Sequence, residues 1–320
     1  MHPRVLVAAV TLCAAAAARA QGPARVQVTA VPEFASVAPG TVLRVAVRLG
    51  IPDGYHLSWT NPGRTGLPTT IAWRTPSGIR VDGTQWPYPE RDETAGLVSH
   101  VYRGTVVVVT RFLVAPRAPG GRAVLRAALS WGICGARCFP QSDTVEVRLR
   151  VQARAPETTA AWRALAQSLE LLPSASADLT VHGAARGDSV HLTITGGPLG
   201  LTTADSAAFF PASRATAVVV PVERIAGGVT VTLPGGVLAA RPGRLEGVLV
   251  ADRPWLVGSR RRALAIDTVL QDLSGGTCRV WNKRHDAPGA ETSTLTEPRA
   301  PRALARRSGA RPLGSSRSLD

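Results

Sequence analysis

Residues 123–152 read AVLRAALSWGICGARCFPQSDTVEVRLRVQ. The two flanks, AVLRAALSWGI and DTVEVRLRVQ, alternate apolar and polar side chains with a period of two, the pattern of half-buried β-strands. Between them stand Cys134 and Cys138, with three residues between the two. A disulfide needs Cα atoms within roughly 4.4–6.8 Å. Residues four apart on an extended strand are roughly 13 Å apart. If the two cysteines bond, the chain must turn sharply between them. Gly135 and Ala136 make that turn sterically easy, and Pro140 restricts the chain beyond it. The expectation is a strand ending near Ile133, a tight loop, and a new strand at Thr144.

The same theme extends outward through residues 25–150. RVQVTAV, TVLRVAVRLGI, TTIAWRT and GTVVVVTRFLV are β-rich runs, and PDG, PSG and APRAPGG punctuate them. Short alternating strands at this spacing predict an antiparallel sandwich or barrel, with Gly and Pro supplying the turn geometry. PETTAAWRALAQSLELLP follows. Trp162, Leu165, Leu169 and Leu172 fall at helical spacing, and Thr158 or Thr159 can cap the start, so one amphipathic connector helix is expected over 153–175. Strand patterns return in DLTVHGA, SVHLTITGG, TAVVVPVER, GVTVTLPGG, RLEGVLVA and RALAIDTVL, predicting a second, smaller β-sandwich over 176–272. His182 and His191 read there as half-exposed strand residues. Residues 273–320 lose apolar periodicity and are rich in Arg, Pro, Ala and Ser, so a disordered basic tail is expected. The abrupt change in composition reads as a frame-shifted or truncated end. The fold class is therefore all-β.

The N-terminus, MHPRVLVAAVTLCAAAAARA, has a weakly basic start and an apolar run too short to span a bilayer. Ala18-Arg19-Ala20 fits a cleavage site, so residues 1–20 are expected to be a signal peptide and the first sandwich to occupy 21–152. A lipoprotein reading through Cys13 is weakened by the bulky Leu12 before it. The formal charge is +15, which raises a nucleic-acid function. Against it, Lys283 is the only lysine, nine basic against four acidic residues sit in 279–320, and the protein is expected to be exported. No nucleic-acid partner is expected. If Cys13 leaves with the signal peptide, the close pair and Cys278 remain, an odd count that leaves Cys278 over.

Three chemistries remain open for Cys134 and Cys138. A bond closing a loop of about five residues is worth roughly 2 kcal/mol of loop entropy, so a structural staple would be a weak one. Exposed or strained disulfides are the exchange-prone ones. Arg137 between the thiols would favour thiolate over thiol. A zinc or copper(I) site would need further ligands, for which His56 and His100 are the candidates; the lone methionine, Met1, argues against a thioether-rich copper carrier. No cofactor or metal is assigned.

GYHLSWTNPGRTGLPTTIAW (54–73), QWPYPER (85–91), HVYRGTVVVV and LSWGICGARCFPQS, in that order, resemble the N-terminal periplasmic domain of the DsbD family of thiol:disulfide interchange proteins. The nearest branch resembles the ScsB-type members linked to suppression of copper sensitivity. The resemblance is strong over roughly residues 30–150. It implies an immunoglobulin-like sandwich in the periplasm with Cys134 and Cys138 as an exchange pair. It also implies a membrane-embedded electron donor and periplasmic thioredoxin-fold or disulfide-bonded acceptors. Either thiol can make the first attack on this reading, with Cys138, beside Arg137 and Phe139, slightly favoured. Tyr55, Trp59, Trp86, Tyr88, Tyr102 and Phe139 are candidates for a cap or docking surface. The spacing is shorter than in the classical DsbD pair. Neither the multi-helix membrane domain nor a thioredoxin-type CxxC of longer members is read here, so the donor is expected in trans.

Overall fold

The structure is a computed structural model, and it describes residues 24–153, 156–173, 178–213, 215–237 and 243–272. The expected signal peptide, Cys13, Cys278 and the tail from 273 onward lie outside them. Eleven strands build the first part. They are β1 (Gln27–Pro32), β2 (Ser36–Val37), β3 (Val42–Gly50), β4 (His56–Gly63), β5 (Thr70–Arg74) and β6 (Ile79–Gln85), followed by β7 (Glu90–Thr94), β8 (Leu97–Tyr102), β9 (Thr105–Val114), β10 (Gly121–Cys134) and β11 (Cys138–Val151). One sheet runs β1-β3-β9-β6. The other runs β2-β11-β10-β4-β8-β7, with β5 also paired to β10.

The alternating residues do what their period requires. Leu43, Val45, Phe112, Leu125, Val147 and Leu149 fill one part of the core. Val47, Leu49, Leu57, Leu129, Trp131 and Ile133 fill another. The unbroken run Val106–Val109 is buried at all four positions. Val106 and Val108 face the sandwich core. Val107 and Val109 face the other way, onto Trp162, Leu165 and Leu172. A central strand covered on both faces needs no polar alternation.

The segment covering that outer face is not the single helix expected from its spacing. It is two one-turn helices, α1 (Ala160–Arg163) and α2 (Ala166–Leu169). The amide of Leu165 bonds to the carbonyl of Trp162, three residues back, which tightens the chain between them. The apolar stripe required only that its side chains share one face, and two short turns satisfy that. Of the two candidate caps, Thr159 is used: its Oγ1 accepts the amide of Trp162 at 3.1 Å. The Thr159 hydroxyl also donates to the Pro32 carbonyl, at 2.9 Å. The Arg44 guanidinium is paired with buried Glu33 and lies 5.3 Å from the centre of the Trp162 ring. Trp162 is therefore held from both sides.

Beyond it come β12 (Thr180–Arg186), β13 (Ser189–Thr195), β14 (Ser206–Pro211), β15 (Val218–Pro221), β16 (Glu223–Ile225), β17 (Gly228–Pro234), β18 (Arg244–Ala251) and β19 (Ala263–Asp272). They form one path, β15-β14-β18-β19-β12-β13-β17-β16. The path curls so that both halves bury Leu192, Ile194, Phe209, Val231, Leu249 and Trp255 in one core. His182 is exposed on β12. His191 is half-buried on β13, near Ser189 and Thr232.

The second part also contributes to the core of the first. Phe210, Ala217, Val248, Val250 and Ala263 pack with Leu57, Trp59 and Ile133. Polar contacts fix the junction. The Asn61 side-chain amide faces the carbonyls of Pro211, at 2.8 Å, of Ala215, at 2.9 Å, and of Ser213. The amide of Ala217 donates to His100 Nε2 at 2.9 Å. His100 Nε2 must therefore be unprotonated, so Nδ1 carries the hydrogen that is donated to the Asn61 carbonyl at 2.8 Å. Burial holds His100 below the usual histidine pKa, and nearby Arg91 acts in the same direction against the opposing hydrogen bond to Asn61.

With Trp162 packed in this way, Trp162→Ala should lower unfolding stability by about 3–5 kcal/mol, read from denaturant melts. The neutral His100 should make stability fall on acidification. The unfolded chain takes up a proton near its ordinary pKa of about 6.5, while the folded chain resists until its lower value. The loss should reach at most about 1.4 kcal/mol per pH unit within that window, and His100→Phe should flatten the slope.

Candidate functional site

The β10–β11 hairpin pairs continuously from Gly121 opposite Val151 to Cys134 opposite Cys138. The strand expected to restart at Thr144 thus begins at Cys138. Pro140 does not interrupt it, and the reason lies in the pleat. Arg150 turns its amide away from β10, towards the Ala35 carbonyl. Residues an even number of positions along β11 face the same way. Pro140 therefore lacks an N–H that would have pointed outward. Only Gly135, Ala136 and Arg137 remain to close the loop, and the amide of Gly135 donates to the Arg137 carbonyl at 3.0 Å.

The cysteines are bonded, with their Cα atoms 4.0 Å apart. Their surroundings differ. Cys134 is 2% exposed, whereas Cys138 is exposed. Ile133 and Leu57 are opposite each other and both face the core. Cys134 and its cross-strand partner His56 therefore face outward. Cys134 is nonetheless buried, and the segment following β4 folds back over this outer face. Pro68 bridges Ser58, and the Thr69 hydroxyl donates to the Ser58 carbonyl at 2.5 Å. Gly66 has φ +105°, and a Cβ there would collide with Ser58 Oγ. A Cβ on Gly132 would stand 3.1 Å from Leu67 Cβ, and one on Gly135 would stand 3.1 Å from Tyr55 Cε1. Gly132 is two residues before Cys134 on β10 and shares its outward face, and Gly135 is the first residue of the loop after it.

Of the aromatic residues expected to form a cap, Tyr55 meets the cysteine loop, and Phe139 stands beside Cys138 with 37% exposure. Trp59 and Tyr102 are buried in the sandwich core. The Trp59 ring meets those of His100, at 5.9 Å, and Phe210, at 6.3 Å. The Tyr102 hydroxyl donates to the Pro87 carbonyl at 2.6 Å, and burial pushes its pKa well above the ordinary value. Trp86 and Tyr88 are half-buried against the same core. Arg137 is exposed in the loop. Leu67 was not among the residues singled out from sequence; its only signal was its place beside Gly66 and Pro68, in the turn-rich stretch after β4.

His56 is half-buried. Its pKa is lowered by burial first and by Arg103 second, with Asp92 opposing. Arg103 is itself tied to Glu90 at 2.8 Å and Asp92 at 2.7 Å. Among the described residues no group of three His, Cys, Asp or Glu side chains converges on a common point. Both ring nitrogens of His100 are committed to backbone partners. Among the described residues no helix is long and apolar enough to cross a membrane.

Residues 25–149 match the family model described as thiol:disulfide interchange protein DsbD, N-terminal. These residues carry a DsbD-type N-terminal domain. The matched span ends two residues before β11 does and contains both cysteines. Among solved structures, the N-terminal periplasmic domain of ScsB from Proteus mirabilis aligns at 16% identity, covering 77% of this chain and 93% of that one, with a TM-score of 0.44. BcpA, the major pilin subunit of Bacillus cereus, aligns at 8% identity over 78% of this chain and 69% of that one, with a TM-score of 0.23. No curated protein sequence matches the chain.

With Leu67 against Gly132 and Tyr55 against Gly135, on either side of Cys134 in the chain, Leu67→Ala and Tyr55→Ala should each speed reduction of the bond by dithiothreitol. Trp59→Phe, a change in the core, should leave that rate unchanged. Stopped-flow thiol trapping measures all three.

Proposed function

We propose that the DsbD-type domain exchanges disulfides with protein dithiols in the periplasm through Cys134 and Cys138. The observation that carries this reading is the asymmetry of the bond, with one exposed and one buried cysteine at a hairpin end. A donor thiolate attacks Sγ of Cys138, forming a mixed disulfide and expelling Cys134 as a thiolate. The donor's second thiolate then releases its own sulfur as a disulfide, leaving the domain with two thiols. Towards an acceptor the steps reverse. Cys138 attacks the acceptor disulfide, and Cys134 attacks Sγ of Cys138 to free the reduced acceptor. Two electrons pass at each exchange. A membrane-embedded thiol donor and periplasmic disulfide-bearing acceptors fit this direction of flow.

A purely structural role is less well supported. The hairpin is already paired along its whole length, and the bond closes a loop worth only about 2 kcal/mol.

Equilibration in thiol–disulfide buffers, with Cys13 and Cys278 replaced by serine, should give a reduction potential above about −300 mV, since resistant structural bonds lie below that value. Cys134→Ser should accumulate a mixed disulfide with an oxidised partner through Cys138, and Cys138→Ser should form far less. A much lower potential, or equal trapping by both variants, would overturn the proposal.

A further inference from the structure

The register aligns more than the two cysteines. Cys138 is opposite Cys134, and Cys134 is opposite His56 on the next strand. One strand further, Leu57 is opposite Tyr102, so the antiparallel count brings Arg103 level with His56. Paired residues on one face of a sheet hold their Cβ atoms about 4.5–5.5 Å apart. A single row thus crosses the sheet: exposed sulfur, buried sulfur, imidazole, guanidinium. Arg103 is anchored at its far end by Glu90 and Asp92.

We propose that His56 is a positioning residue for the exchange reaction, holding Cys134 as a thiolate once the disulfide opens. This rests on the thiol-exchange reading of the same site. Attack at Sγ of Cys138 breaks the S–S bond and leaves its electron pair on Sγ of Cys134. That residue is 2% exposed, so water solvates the new charge poorly. The facing imidazole is half-exposed and can take a proton from solvent. The resulting imidazolium–thiolate pair balances the charge within the site. In the return direction the same pair supplies Cys134 already ionised, as nucleophile against the mixed disulfide at Sγ of Cys138, and the proton goes back to solvent through His56.

The neighbours of His56 set its resting state. Burial and the Arg103 charge keep the ring neutral while the disulfide is closed, and Asp92 partly offsets them. Glu90 acts through its pairing with Arg103. Tyr55 and Asp53 precede His56 in the chain, and Arg137 lies in the hairpin loop. A neutral ring beside a closed disulfide carries no unpaired charge. Reduction creates the negative charge that reverses the preference.

The coupling is reciprocal, so it can be read from either partner. The histidine ring protons are titrated by NMR in the full chain carrying Cys13→Ser and Cys278→Ser, oxidised and then reduced, with His56→Gln assigning the resonance. The His56 pKa should rise on reduction by about one unit, a tenfold change in proton affinity. The protein titrated keeps Cys134, Cys138 and His56 intact, and His56→Gln serves only for assignment, so misfolding of a variant cannot mimic the shift. The ultraviolet thiolate absorbance of Cys138→Ser against Cys138→Ser/His56→Gln should show the Cys134 pKa rising by a similar amount when the imidazole is lost. Unchanged values in both titrations would overturn the role of His56, even if the wild-type pair exchanges normally with dithiothreitol. Failure of the wild-type pair to exchange at all would instead overturn the exchange reading on which it rests.

Discussion

The pairing of β10 with β11 is the constraint on which the rest of the site depends. Side chains alternate along a strand, so a slip of one residue would send Ile133 and Trp131 outward and Cys134 into the core. The apolar positions of β10, from Ala127 to Ile133, are committed to the core. That commitment fixes which face Cys134 takes, and the register then sets Cys138 and His56 beside it. The chemistry sits on the outer face as a consequence of how the inner face is packed. The segment around Gly66 and Leu67 then re-covers part of that outer face.

The junction with the second part of the chain follows from the same division of faces. β4 contributes His56 to the outer row, while Trp59 and Asn61, on its inner face, meet the second part. Asn61 serves three carbonyls there, and His100 ties its own strand to the amide of Ala217. A buried polar network stabilises only when its members are satisfied, and here the His100 tautomer is dictated by its partners. One strand thus carries a residue facing the disulfide and residues that lock the neighbouring sheet.

Much of this was legible in the sequence because it rests on local periodicity. The alternating runs marked the strands, and the short Cys134–Cys138 spacing demanded a turn. The strand start at Cys138 is not legible in the sequence, because Pro140 reads as a breaker unless the direction of its missing N–H is known. The connector forms two short turns and not one helix because spacing reports a shared face and not continuity. For Trp59 and Tyr102 the sequence left both a cap and the sandwich core open, because aromatic identity carries no information about which side of the pleat a residue takes; the odd–even count from Leu57 puts Trp59 with the core. The shared core with Phe210 and Val248 depends on contacts between distant segments, for which a single sequence holds no signal.

The sheet setting also explains why the site needs cross-strand neighbours at all. Many reactive cysteines sit at the N-terminus of a helix, where backbone amides and the helix dipole lower the thiol pKa. A hairpin end has no such field, because strand dipoles largely cancel. Any stabilisation of a thiolate must come from side chains that the register places beside it. Arg137 is exposed to solvent, where a charge is screened. Arg103 is engaged by two carboxylates that offset much of its charge. That leaves the half-buried imidazole, opposite the buried sulfur, as the group whose charge can change when the sulfur's does. In a fold with no helix at the site, a titrating cross-strand neighbour can take the part that a helix N-terminus plays elsewhere.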